Sequence, residues 1–200
     1  MVDLQKVKSI AIFVFPDVEE LDFVGLYEVL CKSTGMREEG FLALDRALHV
    51  EIIARESPVL CRNGLKVVPH KTSLDFGPYD VLIIPGGRGI EPLMKDADLL
   101  QRIRQFAQDH VVCSVCTGSL LLAAAGLLEG KRALTHHEHI AELRAFAEVA
   151  AGRVHVDNNV ITSAGISCSI DLGLELLKLF YNKETALKVA DRLEFLWLTD

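Results

Sequence analysis

No apolar run in this 200-residue chain reaches the ~18 residues a membrane-spanning helix needs, so no membrane partner is expected. Basic residues are in deficit. Lys and Arg number 21 against 28 Asp and Glu, giving a net charge of −7, and aromatics are only 6%. That balance is not expected of a nucleic-acid-binding face, which needs a basic surface. Cysteines number five, an odd count without framework spacing, which argues against a disulfide scaffold and for a reducing cytoplasm. The opening Met1-Val2-Asp3-Leu4-Gln5-Lys6 lacks the basic-then-apolar pattern of a signal peptide. There is no linker, internal repeat or low-complexity segment, and half of the residues are hydrophobic. One domain over residues 1–200 with a sizeable core is expected.

What is present alternates between two patterns. Ser9–Phe15, Val50–Ala54, Val81–Ile84 and Val111–Val115 are near-continuous apolar runs, the signature of strands covered on both faces. Helical periodicity follows Pro16-Asp17 through Leu21, Val24, Leu26, Val29 and Leu30, and recurs over Asp96–Gln108. The Lys32–Leu48 connection is long, and Glu38–Leu48 is expected to form an extra amphipathic helix. Asn63-Gly64 within Pro58–Pro69 is a hairpin signal. Lys131–Thr135 is a short extended piece, and His136 is expected to open a helix running to about Ala150. Arg153–Val156 and Val160–Thr162 flank a turn at Asp157-Asn158-Asn159, followed by a helix ending near Phe180 and another over Glu184–Leu196. Such alternation predicts an α/β three-layer sandwich around a mostly parallel central sheet.

The run Val111–Leu120 carries the chemical signal. A buried strand turns abruptly into a helix with Cys116 at the turn, and Ser114-x-Cys116-x-Gly118 has the small-x-nucleophile-x-small form of a nucleophile elbow. Small neighbours are needed because a bulky side chain two residues either way would clash. Unpaired N–H groups at the helix start would favour thiolate over thiol and could hold an oxyanion. From these residues alone, Cys116 could equally be one more buried core cysteine. Cys113 and Cys116 form a C-x-x-C, but Cys113 falls inside the strand, where it would be packed and inert rather than half of a redox dithiol. Gly86 and Gly87 end a strand where a backbone could approach a ligand, or form an ordinary turn. His136 and His139 are spaced i, i+3, yet no acidic or cysteine cluster joins them at zinc spacing. A polar helix start accounts for them, and no metal is expected.

Three of these stretches together resemble the ThiJ/PfpI superfamily, with its flavodoxin-like, class I glutamine amidotransferase-like fold, and within it the isocyanide hydratase branch. They are Phe15-Pro16-Asp17-Val18-Glu19-Glu20-Leu21-Asp22, Ile84-Pro85-Gly86-Gly87 and Ser114-Val115-Cys116-Thr117-Gly118-Ser119. Ala124–Leu128, Gly130–Ala133, Thr135-His136, Gly165–Asp171 and Leu193-Glu194-Phe195 extend the match along the whole chain.

The resemblance implies that Cys116 is a nucleophile. It places Asp22, rather than neighbouring Glu19 or Glu20, beside the thiol as a protonated carboxyl able to donate to sulfur. Thr117 stands where deglycase, glyoxalase and protease-like branches commonly carry His, and cannot shuttle a proton as His does. The N–H of Gly86 or Gly87, with that of Thr117, would stabilise developing charge, and His136 would line the pocket. The implied activity is hydration of an organic isocyanide to an N-substituted formamide, without cofactor, on a small-molecule substrate and in a homodimer. A ligand- or oxidation-sensing domain and an aldehyde-directed glyoxalase or deglycase are the alternatives.

Overall fold

The computed structural model describes residues 3–197. A short 3-10 turn at Leu4–Lys6 precedes β1 (Ser9–Phe13), α1 (Glu20–Glu38) and β2 (His49–Ala54). A hairpin of β3 (Val59–Leu60) and β4 (Lys66–Val67) follows, then β5 (Lys71–Thr72), β6 (Val81–Ile84), the single turn α2 (Ile90–Leu93) and α3 (Ala97–Phe106). The second half runs through β7 (Val111–Val115), α4 (Gly118–Ala124), β8 (Arg132–Ala133), α5 (Ile140–Leu143) and β9 (Glu148–Val149). It closes with β10 (Val154–Asp157), β11 (Val160–Ser163), α6 (Cys168–Phe180) and α7 (Lys183–Arg192).

Seven strands form the main sheet in the order β10-β11-β7-β6-β1-β2-β5. Every pairing is parallel except that of β10 with β11. The apolar runs occupy its centre, and every residue of β6 and β7 is buried. The chain moves from β1 to β2 in one direction and from β6 to β7 in the other. Right-handed crossovers therefore place α1 and α3 on opposite faces, with α6 and α7 packed beside α1, and α2, α4 and α5 on the side of α3. This is the expected mixed α/β sandwich.

Two expected helices are absent. Glu38–Leu48 is not helical, because α1 itself runs on to Glu38 and stops at Gly40, whose φ is +81°. Gly40 N donates to the Arg37 carbonyl at 3.1 Å and Phe41 N to that of Met36 at 2.8 Å, the paired bonds of a Schellman stop. The irregular 41–48 segment is then tied down by arginines. Arg37 Nε donates to Leu44 O at 3.1 Å and Arg46 Nε to Val7 O at 2.7 Å. The helix expected from His136 to Ala150 is only a 3-10 turn, His137–His139, and the one-turn α5. Its remainder joins a ladder instead: β9 pairs with β8, and Ala150 N donates to Ala133 O at 2.9 Å.

The Asn63-Gly64 hairpin and the Asp157–Asn159 turn form as expected, with Gly64 at φ +96° and Asn158 at +57°. The direction in which successive strands are added reverses between the parallel neighbours β1 and β6, and in open α/β sheets ligands bind outside the carboxyl ends of strands near such a point.

Candidate active site

Four turns leave the carboxyl ends of β1, β6, β7 and β11 on the same edge of the sheet, and together they build the site. After β7, Cys116 takes φ +57°, a left-handed conformation uncommon for a side chain that cannot bond its own backbone. Its N–H is shared between the carbonyls of Ser163 and Ala164 at 3.3 and 3.2 Å. Its carbonyl accepts the hydroxyls of Ser119 and Thr135, each at 3.1 Å. The turn needs small flanks as expected. A Cβ on Gly118 would fall on the Ile84 carbonyl oxygen and lie 2.9 Å from that of Pro85, and Ser114 is fully buried.

Asp22 lies in the first turn of α1, fully buried at 0% exposure. Its Oδ2 accepts the Gly86 N–H at 2.8 Å, and the carboxyl and the Cys116 thiol are close enough to perturb one another's protonation. Oδ1 is buried and has no hydrogen-bond partner among the described residues. A carboxylate acceptor so placed is costly, which favours the protonated form. Burial raises the Asp22 carboxyl from 3.8 to about 7; the Gly86 N–H opposes this, and the Glu19 carboxylate adds to it. Glu19 and Glu20 point instead toward the hairpin. Arg62 Nη1 meets Glu19 Oε2 at 3.1 Å, and Asn63 N and Nδ2 each meet Glu20 at 2.7 Å.

The sulfur is not held ionised as the helix-start reasoning suggested. Cys116 is 6% exposed. Burial, with the negative charge of Asp22, pushes its thiol up to about 12 against the N–H groups of Thr117 and Ile166 and the Thr117 hydroxyl, which favour thiolate. Desolvation outweighs those donors, and α4 has only seven residues to build a dipole. The resting state is a thiol beside a carboxyl that titrates near neutrality.

A second expectation also changes. Neither the Gly86 nor the Gly87 N–H is free for an oxyanion, since Gly86 N donates to Asp22 and Gly87 N to Thr117 Oγ1 at 3.0 Å. Gly86 is required for packing: a Cβ there would lie 2.6 Å from Thr117 Oγ1, 2.7 Å from Thr117 N and 2.9 Å from Asp22 Oδ2. Gly87, at φ +132°, lets the turn cross the backbone of residues 17–19.

The donors that do face the sulfur are Thr117 N–H, as expected, and Ile166 N–H, which the sequence did not single out. Ile166 follows β11 at φ +45°, a β-branched residue in a strained turn that hydrophobic patterning cannot reveal. Cys113 is fully buried and its thiol raised by burial, as expected of a packed strand residue.

An open cleft of about 460 Å³ gives access to Cys116, Thr117, Gly87 and Ile166. One rim carries Glu19, Arg62 and Asn63, the other His136–His139. His136 lines the cleft as expected. Its ring packs on Gly165, where no Cβ would fit. Its charged form is disfavoured first by burial and then by His137. Among the described residues no group of three His, Cys, Asp or Glu side chains could hold a metal, and no helix is long and apolar enough to cross a membrane.

Comparison with known proteins finds relatives along nearly the whole chain. The isonitrile hydratase of Pseudomonas putida is 38% identical over 192 residues, covering 94% of this chain and 78% of that protein. The HTH-type transcriptional regulator CdhR of Pseudomonas aeruginosa is 34% identical over 152 residues, 72% of this chain but 44% of the regulator. A crystal structure of a ThiJ/PfpI family protein from Pseudomonas syringae superposes with a TM-score of 0.80 at 28% identity, covering 98% of this chain and 81% of that one. The model of the DJ-1/PfpI family matches residues 8–179, and the chain belongs to that family.

Proposed function

We propose that the protein is a cysteine-dependent hydratase that adds water to an organic isocyanide and releases an N-substituted formamide. The observation that carries this reading is the Asp22–Cys116 pair, a buried carboxyl titrating at about 7 beside a thiol in a strained turn. Similarity to the isonitrile hydratase over nearly the whole chain supports the choice of substrate.

In the working state the pair carries a single proton. Asp22 takes the proton of Cys116 as sulfur bonds to the terminal isocyanide carbon, then delivers it to that carbon, giving a thioimidate. Asp22 next accepts a proton from water as oxygen bonds to the same carbon, and passes it to nitrogen. Removal of the hydroxyl proton by Asp22 forms the carbonyl and breaks the carbon–sulfur bond. Proton return to sulfur restores the thiol. A carboxyl poised near neutrality suits a group that must accept and donate in turn. The N–H groups of Thr117 and Ile166 are placed to stabilise the departing thiolate, and the Thr117 hydroxyl holds the Gly87 turn. His136 shapes the cleft wall, and the cycle requires no cofactor.

Incubation with a simple aliphatic isocyanide should yield formamide, and Cys116→Ala and Asp22→Asn should reduce turnover by ~10³-fold or more. Absence of formamide across an isocyanide panel, with consumption of methylglyoxal, would replace this reading by the aldehyde-directed one. Similarity to the CdhR regulator favours a second reading, a ligand- or oxidation-sensing domain. Saturable binding without turnover would support it.

A further inference from the structure

Glu19 is the residue preceding α1 and Asp22 is its third residue, so the two share one face of the first turn at i, i+3 spacing. Only 14% of the Glu19 side chain is exposed, and it is fixed on two sides. Its backbone N–H donates to Gly86 O at 2.9 Å. Its carboxylate meets Arg62 at 3.1 Å and Asn63 Nδ2 at 3.4 Å. Arg62 is anchored in turn, its own N–H donating to Val18 O at 3.0 Å. The β3–β4 hairpin therefore locks a charged side chain at the cleft rim, one helical turn from the buried carboxyl.

We propose that Glu19 is a positioning residue whose fixed negative charge sets how tightly Asp22 holds the proton it accepts, and that Arg62 governs this by holding and partly neutralising Glu19. The inference rests on reading Asp22 and Cys116 as the working pair, and adds two residues from outside it. The groups facing Asp22 are Glu19 from its own helix, Cys116 from the β7–α4 turn, the Gly86 N–H from the β6 turn, and Cys168 from the start of α6. Glu19 is the carboxylate whose charge is felt by both Asp22 and His136. Without it the carboxyl would hold its proton less tightly. Without Arg62 an uncompensated Glu19 would make it hold tighter.

The test is an infrared titration of the protonated-carboxyl band of the full chain, assigned to Asp22 by its loss in Asp22→Asn. Glu19→Gln should move the midpoint to lower pH by about half to one pH unit, as expected for one partly screened charge at that distance. Arg62→Gln should move it to higher pH, and the double variant should coincide with Glu19→Gln. An unmoved midpoint in Glu19→Gln would overturn the role of Glu19. An equal upward shift from Arg62→Gln in both backgrounds would overturn the role of Arg62 as acting through Glu19. Arg62→Gln also tests the inference by itself should Glu19→Gln fold poorly. Because the readout is a carboxyl titration, it stands whether or not isocyanides turn over, so failure of the hydratase reading is distinguishable from failure of this one.

Discussion

At the scale of single residues, Asp22 stores a cost that the proposed chemistry would use. Its carboxyl is raised from 3.8 to about 7 in the folded chain, so folding is penalised wherever the group must ionise. That penalty is absent below 3.8, grows between 3.8 and about 7, and is complete above. The gap corresponds to about 4 kcal/mol. Asp22→Asn should therefore be more stable than the parent at alkaline pH, by up to that order, with the advantage fading toward pH 4. Urea unfolding at the two pH values checks the sign. Asp22, Cys116 and Thr117 were legible in the sequence because their neighbours carry recognisable motifs. The thiol's protonation was not. Its elevation to about 12 comes from burial under residues distant in the chain, which no local pattern of small residues records. The Gly86 and Gly87 turn was likewise foreseen, but not that Asp22 and Thr117 would occupy both N–H groups.

At the scale of elements, the strand–turn–helix around Cys116 depends on close backbone contact. Gly118 sits against the carbonyls of Ile84 and Pro85, which are main-chain atoms and cannot rotate away. Gly118→Ala should destabilise the fold by about 2 kcal/mol or more and should lower turnover further than the stability loss explains. Denaturant midpoints and kcat measured on the same variant separate the two. Strands were read well because both faces of β6 and β7 are buried, which leaves apolar runs. Helix ends were read less well. Gly40 stops α1, but the spaced apolar residues of the 38–48 stretch resemble another, amphipathic helix. The segment after His136 has helix-forming residues, yet pairing with β8 draws Glu148–Val149 into a strand, a long-range contact that outweighs local propensity.

At the scale of the whole molecule, the parallel course of β1, β6, β7 and β11 places all four site turns on one edge, beside the switch in strand order between β1 and β6, a consequence of topology that alternating helix and strand signals made legible. Patterning located the hairpin but not its placement against the start of α1, where it supplies Arg62 and Asn63 to the cleft rim. The same region leaves apolar side chains outside: Leu21 and Val24 on α1, and Leu60, Leu65 and Val68 on or beside the hairpin, with Val68 76% exposed. Glu20 faces the Leu65 N–H, and the Tyr27 and His70 rings are 6.1 Å apart, so these side chains lie on neighbouring elements. A surface of this kind suits a second copy of the chain. The protein is expected to run as a homodimer in light scattering after gel filtration, and Leu65→Asp with Val24→Asp to run as a monomer. A parent that is already monomeric would contradict this. The proposed chemistry is tested most directly by the pH dependence of kcat/KM for an aliphatic isocyanide in the parent and in Asp22→Asn. With a one-proton Asp22–Cys116 pair as the working state, the parent profile should rise through a limb near pH 7 and then level, while Asp22→Asn stays ~10³-fold or more below that plateau and lacks the limb. A profile without that limb, or substantial hydration by Asp22→Asn, would contradict it.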